Sequence, residues 1–270
     1  MKRNSSVLTI SYRDQIVGRL AMTKDRLCAF EYDSGWLANG FSISPFKLPL
    51  EKRVFIAKRD PFDGNFGVFS DSLPDGWGRL LIDRMLIKKR INPAEVSVLD
   101  RLAIVGKSGM GALEYYPETI LTNAEVSENL DELAAECEKI VNEEYDGKIE
   151  ELVSAGGSSG GARPKVLIRY NDEDWIVKFR SSDDSKDIGR QEYEYSVMAK
   201  KSGLDMPKTK LFEDKYFGVK RFDRLNDGTK IHMLSASGLL DASHRFPTLD
   251  YVDLRSYVGW VNALVFRRIL

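Results

Sequence analysis

The sequence predicts an α+β protein: a small β-rich N-terminal domain is followed by a second unit in which two β-hairpins flank one helix. Three short apolar runs rich in β-branched and aromatic residues, separated by polar breaks, indicate strands within residues 7–32. An acidic stretch at 123–153 repeats apolar residues at helical spacing. Beyond a glycine-rich stretch, two pairs of β-rich runs enclose another helical pattern. Residues 225–270 are expected to begin a helical third part.

The composition is that of a soluble protein with a hydrophobic core. The 270 residues are 43% apolar and 30% charged, which is ordinary for one large domain or two smaller ones. The formal net charge of -1 argues against a broad nucleic-acid-binding surface. The sequence has neither the roughly 20 consecutive apolar residues of a membrane helix nor the apolar core of a signal peptide. We therefore expect a cytoplasmic protein with no membrane partner.

The cysteines and histidines are too few and too scattered for a disulfide framework or a zinc site. Cys28 and Cys137 each lie in a periodic apolar context, which favours buried thiols in a reducing compartment. The two histidines, His232 and His244, have no close cysteine pair beside them. No metal ligand is assigned from the sequence.

Residues 1–122 are interpreted as the N-terminal domain. Strands are predicted at 7–11, 16–20, 27–32 and 112–116, and helices directly after a turn at 71–78 and again at about 96–104. Between 34 and 50, Pro45 and Pro49 limit regular pairing and predict a long irregular segment.

The Gly-Lys-Ser string at 106–108 matches the end of a nucleotide-binding P-loop. That motif needs a glycine five positions earlier, and Arg101 stands there instead. The string also follows a helical pattern rather than a strand. We therefore interpret residues 106–111 as a turn into a strand.

The rest of the chain divides into three parts. Residues 123–153 are predicted to form an acidic connecting helix with Ser127 as its cap. Residues 154–224 carry predicted strands at 165–170, 175–179, 208–212 and 216–222, and a helix at 187–202 that stops at Gly203. The third part is 225–270.

The second unit opens with two glycine pairs and two serines, followed by Arg163, Pro164 and Lys165. Glycines allow successive backbone N–H groups to face one anion and form a phosphate-sized nest. Arg163 and Lys165 add positive charge to such a nest. A flexible glycine–serine linker explains the same residues. The elements that follow favour the phosphate interpretation.

The order of elements after this loop is that of the N-lobe of a protein kinase. In that plan a strand lysine neutralises the phosphates and a helix glutamate pairs with the lysine. Lys178 and Glu192 are the candidates, against the alternatives of a solvent-exposed strand lysine and a solvated helix glutamate. The exit segment at 220–222 takes the hinge position, where Phe222 flanks an adenine ring. Asp223 either accepts from ribose hydroxyls or pairs with Arg224.

These motifs resemble those of the HipA family of toxin–antitoxin serine/threonine kinases. Residues 158–165 resemble the family's glycine-rich loop and 219–224 its hinge, while 71–77 and 109–113 resemble its N-terminal domain. The resemblance implies that Ser158 is autophosphorylated and that ATP and magnesium are the cofactors. It implies a nucleotide site made by Ser159, Gly160, Gly161, Ala162, Arg163, Pro164, Lys165, Lys178, Glu192, Lys220, Arg221, Phe222 and Asp223.

The resemblance also implies partners. The family phosphorylates protein targets, typically an aminoacyl-tRNA synthetase, and is restrained by a helix-turn-helix antitoxin of the HipB type. DNA is then contacted only indirectly, through the antitoxin.

The chain departs from the family after about residue 254. The family's catalytic loop, a D-D-H-x-x-N-like string, and its later magnesium-binding aspartate have no match in the remaining residues. We therefore expect a protein truncated before the catalytic loop, without magnesium ligands and without phosphoryl transfer by this chain alone. The apolar run at 257–266 is expected to be a helix that favours a partner or aggregation.

Two alternatives remain beside a truncated kinase. One is a non-catalytic binding module that engages an antitoxin or complements a separate C-lobe. The other is an active kinase that uses substitute carboxylates.

Overall fold

The protein contains two antiparallel sheets, one in each half of the chain, and each contributes to its own hydrophobic core. The structure, a computed structural model, describes residues 7–143, 148–158, 160–242, 249–250, 252 and 255–256. The predicted apolar helix at 257–266 lies outside these residues. The two sheets and their helices have the α+β architecture that the sequence predicts.

The N-terminal sheet has five strands in the order β4-β3-β2-β1-β5. The strands are β1 (Val7–Tyr12), β2 (Gln15–Met22), β3 (Cys28–Tyr32), β4 (Phe55–Ile56) and β5 (Leu113–Tyr116). Alternate residues such as Leu8, Ile10 and Leu20 are buried, as expected for a sheet with one face on a core. The predicted strands are confirmed, and β4 is an addition.

Eight α-helices lie within the described residues. They are α1 (Ser34–Asn39), α2 (Gly67–Ser70), α3 (Gly76–Lys88), α4 (Val98–Val105), α5 (Leu130–Val141), α6 (Ile149–Gly156), α7 (Ile188–Lys201) and α8 (Ala236–Leu240). Helix α1 occupies the beginning of the segment that the prolines predicted to be irregular. It forms because the Asp33 carboxylate accepts from the Gly35 N–H at 2.8 Å, and Trp36 buries its ring there.

Helix α3 belongs to the second core although it precedes β5 in the chain. Trp77, Leu81 and Met85 are buried with residues of α5, α6 and the second sheet. The first core instead holds α4 and the N-terminal sheet. One helix of the N-terminal half therefore packs in the core of the second half, and the two halves are in direct contact.

The single connecting helix predicted at 123–153 is wrong. Two helices, α5 and α6, occupy this region, and residues 144–147 between them lie outside the description. The cap also differs from the prediction, because Asn129 rather than Ser127 accepts from the first-turn N–H groups of Asp131 and Glu132, at 2.9 and 3.2 Å. The apolar periodicity is right for each helix, since both bury one face.

The second sheet has four strands in the order β6-β7-β9-β8. They are β6 (Lys165–Tyr170), β7 (Glu173–Lys178), β8 (Thr209–Phe212) and β9 (Tyr216–Lys220). Helix α7 connects β7 to β8 and packs on β8 and β9. The two predicted hairpins are present, and β7 additionally pairs with β9.

Both cysteines are buried and free, as predicted. None of the helices within the described ranges combines the length and the apolar character that a membrane crossing requires.

Candidate functional site

The second sheet has one face covered by helices and one that is partly open. Val166, Trp175 and Val177 are buried against α3, α5 and α6. On the opposite face the register places Leu167 beside Ile176 and Ile176 beside Val219, and all three are half-buried. Directly opposed residues of neighbouring strands share a face. The open face therefore carries an apolar row of three residues across β6, β7 and β9.

Two lysines lie next to this row. Lys165 and Lys178 are cross-strand partners in the register of β6 and β7, two positions from the Leu167–Ile176 pair, and therefore lie on the same face. The Nζ of Lys178 donates to Oε2 of Glu192 at 3.0 Å and lies 5.2 Å from the centroid of the Phe217 ring. The structure thus brings together the lysine and the glutamate that the sequence paired.

Arg163 connects the glycine-rich loop to the same glutamate. Its guanidinium donates to Oε1 of Glu192 at 3.2 Å and to Oδ1 of Asp184 at 2.8 Å. The hydrogen bond with Asp184 is the main reason that the pKa of Arg163 lies above its ordinary value. Glu192 therefore divides its two oxygens between Lys178 and Arg163, and Asp184 is a partner that sequence reasoning missed.

Lys165 is the most buried cation of this group, with 6% of its surface exposed. Its Nζ donates to the Gly161 carbonyl at 3.0 Å. Burial lowers the pKa of Lys165 to about 8, the nearby Asp75 carboxylate opposes this shift, and Lys178 adds to it. An anion that approaches this lysine would stabilise its charged form.

The glycine-rich loop is attached to the turn that begins α3. The Trp77 N–H donates to the Gly161 carbonyl at 3.0 Å, and the Gly161 N–H donates to the Asp75 carboxylate. Gly161 has φ +90°, and a Cβ added to Gly76 would lie 2.7 Å from the Ala162 Cα. Glycine is therefore needed on both sides of this contact. In residues 160–165 the chain is not the flexible linker that the composition also permitted.

The earlier part of the glycine-rich stretch belongs to α6 and to the turn after it. Gly156 ends the helix and Gly157 follows as its cap. Ser158 is 9% exposed, and its Oγ donates to the Ser108 carbonyl at 2.9 Å. Ser159 lies outside the described residues. The serine that the resemblance marks for autophosphorylation is therefore held against the 106–111 turn.

Side chains of residues 221–224, which follow β9, form a buried network of ion pairs. Asp223 is 0% exposed and accepts from the Gly111 N–H at 2.8 Å, from Arg221 Nη2 at 2.7 Å and from Arg224 Nη1 at 2.9 Å. Both arginines also donate to the Gly109 carbonyl. Of the two sequence interpretations of Asp223, the pairing with Arg224 is present in the structure, and the ribose contact stays a prediction.

The side chain of Arg221 is likewise buried in this network. Lys220 lies at the end of β9 and donates to Glu173 at 2.8 Å. Phe222 is 60% exposed and is the member of the segment free to contact a ligand. The Arg221 N–H is bonded to the Asp174 carbonyl at 2.8 Å.

Two family models match the chain. The model of the HipA N-terminal domain matches residues 8–116, and the model of the HipA-like C-terminal domain matches residues 157–265. The chain belongs to the HipA family. Its domains are those of a HipA-like toxin, a protein that functions in a toxin–antitoxin partnership. A search of curated proteins found no match.

In this HipA protein the C-terminal domain match begins within the glycine-rich stretch and includes every strand of the second sheet. Helix α3 lies in the N-terminal match but packs into the second core. The loop and its attachment therefore come from different domains of the family.

Sequence reasoning missed Asp75, Asp184 and the role of the Gly109–Gly111 turn. Asp75 and the Gly109–Gly111 turn lie 86 and 112 residues from their partners along the chain, and Asp184 lies 21 residues from Arg163. A single sequence carries no signal for such pairings. The Asp75–Gly76 pair was recognised only as the start of a helix, because nothing local shows what the carboxylate contacts.

Proposed function

We propose that this chain binds ATP on the open face of the second sheet, as part of a HipA-like serine/threonine kinase toxin. The observation that carries the proposal is the Lys178–Glu192 pair, at 3.0 Å, beside Lys165 and at the end of an apolar row. A charged pair next to an apolar platform matches a nucleoside phosphate, which has a flat apolar base at one end and anionic oxygens at the other.

The proposed roles follow from position along this face. The adenine ring rests on Leu167, Ile176 and Val219, with the exposed Phe222 at its edge. Lys165, Lys178 and Arg163 lie at the phosphate end, where positive charge stabilises the oxygens. Glu192 holds Lys178 and Arg163 in place rather than contacting the nucleotide.

In a nucleotide site a magnesium ion takes one or two carboxylates besides phosphate oxygens and water, and none is assigned among the described residues. Within them there is no group of three or more His, Cys, Asp or Glu side chains that could hold a metal ion. We assign no ligand and derive no step through magnesium.

We further propose that this chain binds the nucleotide but does not transfer its phosphoryl group by itself. In the family, a D-D-H-x-x-N-like string supplies the catalytic base and an asparagine that binds magnesium. The 270 residues contain no such string, so neither role is assigned to a residue of this chain. Positioning and charge neutralisation supply most of the rate in phosphoryl transfer. Ser158 is the proposed acceptor in the complete enzyme, and its burial requires the turn at 157–158 to open first.

The proposed partners are those of the family. A HipB-type antitoxin would bind the chain and contact DNA on its behalf, and a protein such as an aminoacyl-tRNA synthetase would be the substrate of the complete kinase. Retention of antitoxin binding without catalysis is the alternative function. Co-purification with a HipB-type antitoxin, in the absence of any ATP binding, would favour that alternative.

Calorimetric titration with ATP, ADP and adenosine tests the nucleotide proposal. Lys178→Ala is expected to weaken ATP and ADP binding by about tenfold or more and adenosine binding hardly at all, because it removes one charge–phosphate contact. Lys88→Ala is the matched control, since Lys88 is the last residue of α3, at the opposite end of that helix from the glycine-rich loop, and pairs with Glu150 of α6. Equal ADP affinity in Lys178→Ala and wild type would contradict the proposed site.

Incubation with magnesium and labelled ATP tests the proposed lack of transfer. No label is expected on the purified chain. Label on Ser158 that disappears in Lys178→Ala would overturn the proposal of inactivity.

A further inference from the structure

The carboxylate of Asp75 lies in the glycine-rich loop at the place where the nest hypothesis puts a phosphate. The backbone N–H of Gly161 donates to Oδ1 of Asp75. A Cβ added to Gly160 would lie 3.2 Å from the same oxygen. Both glycines of the second pair therefore face this carboxylate, so an anion already binds the loop, and it belongs to the same chain.

The position of Asp75 is fixed by the residues after it. Trp77 is 1% exposed and bonds the loop twice, through its N–H to the Gly161 carbonyl and through Nε1 to the Lys165 carbonyl, both at 3.0 Å. A Cβ added to Gly76 would lie 2.7 Å from the Gly161 carbonyl oxygen, so the two backbones pass close together here. Asp75 itself is exposed, so its side chain has room to turn outward while Trp77 keeps the backbone in place.

Charge balance around the loop gives Asp75 a specific role. Glu192 is engaged with Lys178 and Arg163, and Asp184 with Arg163 and the Ser181 N–H. The charge on Lys165, which burial disfavours, is supported by the Asp75 carboxylate. A phosphate at the loop would supply the same support with more negative charge, and it would be repelled by a carboxylate that stayed there.

We propose that Asp75 is a resident anion of the glycine-rich loop, which the phosphate groups of a bound nucleotide displace. This rests on the proposed nucleotide site and adds a positioning residue to it. With the site empty, Asp75 fixes the loop in a shape ready for phosphate and balances the charge of Lys165. On binding, the Gly161 N–H exchanges one anionic oxygen for another. Asp75 thus lowers the affinity of the loop for anions in general. Compact phosphates with several negative charges still bind, because they interact with the loop strongly enough to displace the carboxylate.

The variant Asp75→Asn tests the exchange because it keeps an oxygen that can accept from Gly161 and removes the charge. We expect ADP and inorganic pyrophosphate to bind about tenfold more tightly than to wild type, which is one charge interaction of roughly 1.4 kcal/mol. Adenosine, which has no phosphate, is expected to bind both proteins equally. Calorimetric titration measures all three affinities.

Asp83→Asn is the matched control. It removes the same charge from the same helix, where Asp83 pairs with Arg101 and Arg79, and it is expected to leave all three affinities unchanged. Circular dichroism establishes that each variant is folded, and Asp75→Ser provides a second neutral acceptor at the site. Unchanged or weaker ADP and pyrophosphate binding by a folded Asp75 variant would overturn the proposal.

A measurement on the unmodified chain does not depend on any variant. The NMR signal of the Asp75 carboxyl carbon is expected to shift when pyrophosphate is added, as the carboxylate leaves the Gly161 N–H. A signal that stays in place at saturating pyrophosphate would contradict displacement.

The pyrophosphate results separate this inference from the nucleotide site itself. If neither protein binds ADP or adenosine but Asp75→Asn binds pyrophosphate more tightly, the proposed function fails and the resident anion stands. If pyrophosphate binds neither protein, or binds both equally, the resident anion fails whatever the nucleotide results.

Discussion

Lys165 is a residue of the candidate site whose pKa is strongly altered by its surroundings. It lies at the start of β6, faces a second lysine across the strand pair, and has 6% of its surface exposed. Burial, the largest influence, lowers its pKa to about 8. A buried cation is tolerated here because the Gly161 carbonyl accepts a hydrogen bond and Asp75 supplies negative charge.

This shift predicts how stability depends on pH. Between about pH 8 and the ordinary lysine value of about 10.4, the unfolded chain holds a proton on Lys165 that the folded chain has lost. Stability from this group therefore rises as the pH rises through that window and is lowest below pH 8. We expect Lys165→Met to reduce this rise by about 2 kcal/mol, measured by urea unfolding at pH 7 and pH 10.

Lys24→Met, at an exposed lysine in the turn between β2 and β3, is the control for the same measurement. It should leave the rise with pH as it is in wild type. A Lys165→Met chain with an unaltered pH dependence would show that Lys165 titrates normally.

At the scale of elements, the helix starts show where local sequence is sufficient. The box in which Ser97 and Asp100 each accept from the other's backbone N–H is present at the start of α4 and is readable from residue types alone. At the start of α5, residue types alone do not show whether Ser127 or Asn129 is the cap. Asn129 is the cap, while Ser127 accepts from the Asn129 N–H and donates to Glu132.

We expect Asn129→Ala to lower the free energy of unfolding by about 1 kcal/mol, since two first-turn N–H groups of α5 lose their acceptor. Thermal unfolding followed by circular dichroism measures the change. Ser127→Ala should have a smaller effect, because the hydroxyl that it removes bonds the cap residue and an exposed Glu132 rather than the first-turn N–H groups of the helix. The reverse order of the two effects would show that the sequence prediction of Ser127 as cap is right.

At the scale of the whole molecule, the Arg221–Asp223–Arg224 network joins the two halves. It connects the end of β9 in the second sheet to the Gly109–Gly111 turn of the N-terminal half. A second connection runs from the start of α3 to the glycine-rich loop. Through these two contacts the N-terminal half positions both ends of the open face.

We expect Asp223→Asn to lower the free energy of unfolding by about 3 kcal/mol, because two buried arginines lose their counterion. The loss should appear as separation of one unfolding transition into two when tryptophan fluorescence and far-UV circular dichroism are compared. Asp172→Asn, at a carboxylate whose side chain is 95% exposed, is the control and should change the stability by less than about 0.5 kcal/mol. A single, unshifted transition in Asp223→Asn would contradict the connecting role.

The same network predicts that the free energy of unfolding falls at low pH. Although burial alone would raise it, the pKa of Asp223 lies below its ordinary value because Arg221 and Arg224 favour the carboxylate. The stability from this group is complete above the unfolded pKa of about 3.9 and is lost as the pH falls through the lower folded value. Asp223→Asn should lack this loss, measured as unfolding midpoints between pH 5 and pH 3.

The sequence by itself determined every strand except β4, the helices α3, α4 and α7, and the pairing of Lys178 with Glu192. Each of these follows from periodicity or from the order of elements, which are properties of neighbouring residues. The sequence also carried the family resemblance, through motifs that are contiguous in the chain.

Only the tertiary structure decided what the glycine-rich loop and the exit segment contact. Asp75 is 86 residues from Gly161, and Asp223 is 112 residues from Gly111. The residue types at these positions fit several partners, and the choice among them is made by how α3 and the 106–111 turn pack against the second sheet. Burial then changed the chemistry of Lys165 and Asp223, because desolvation depends on packing that no local pattern records.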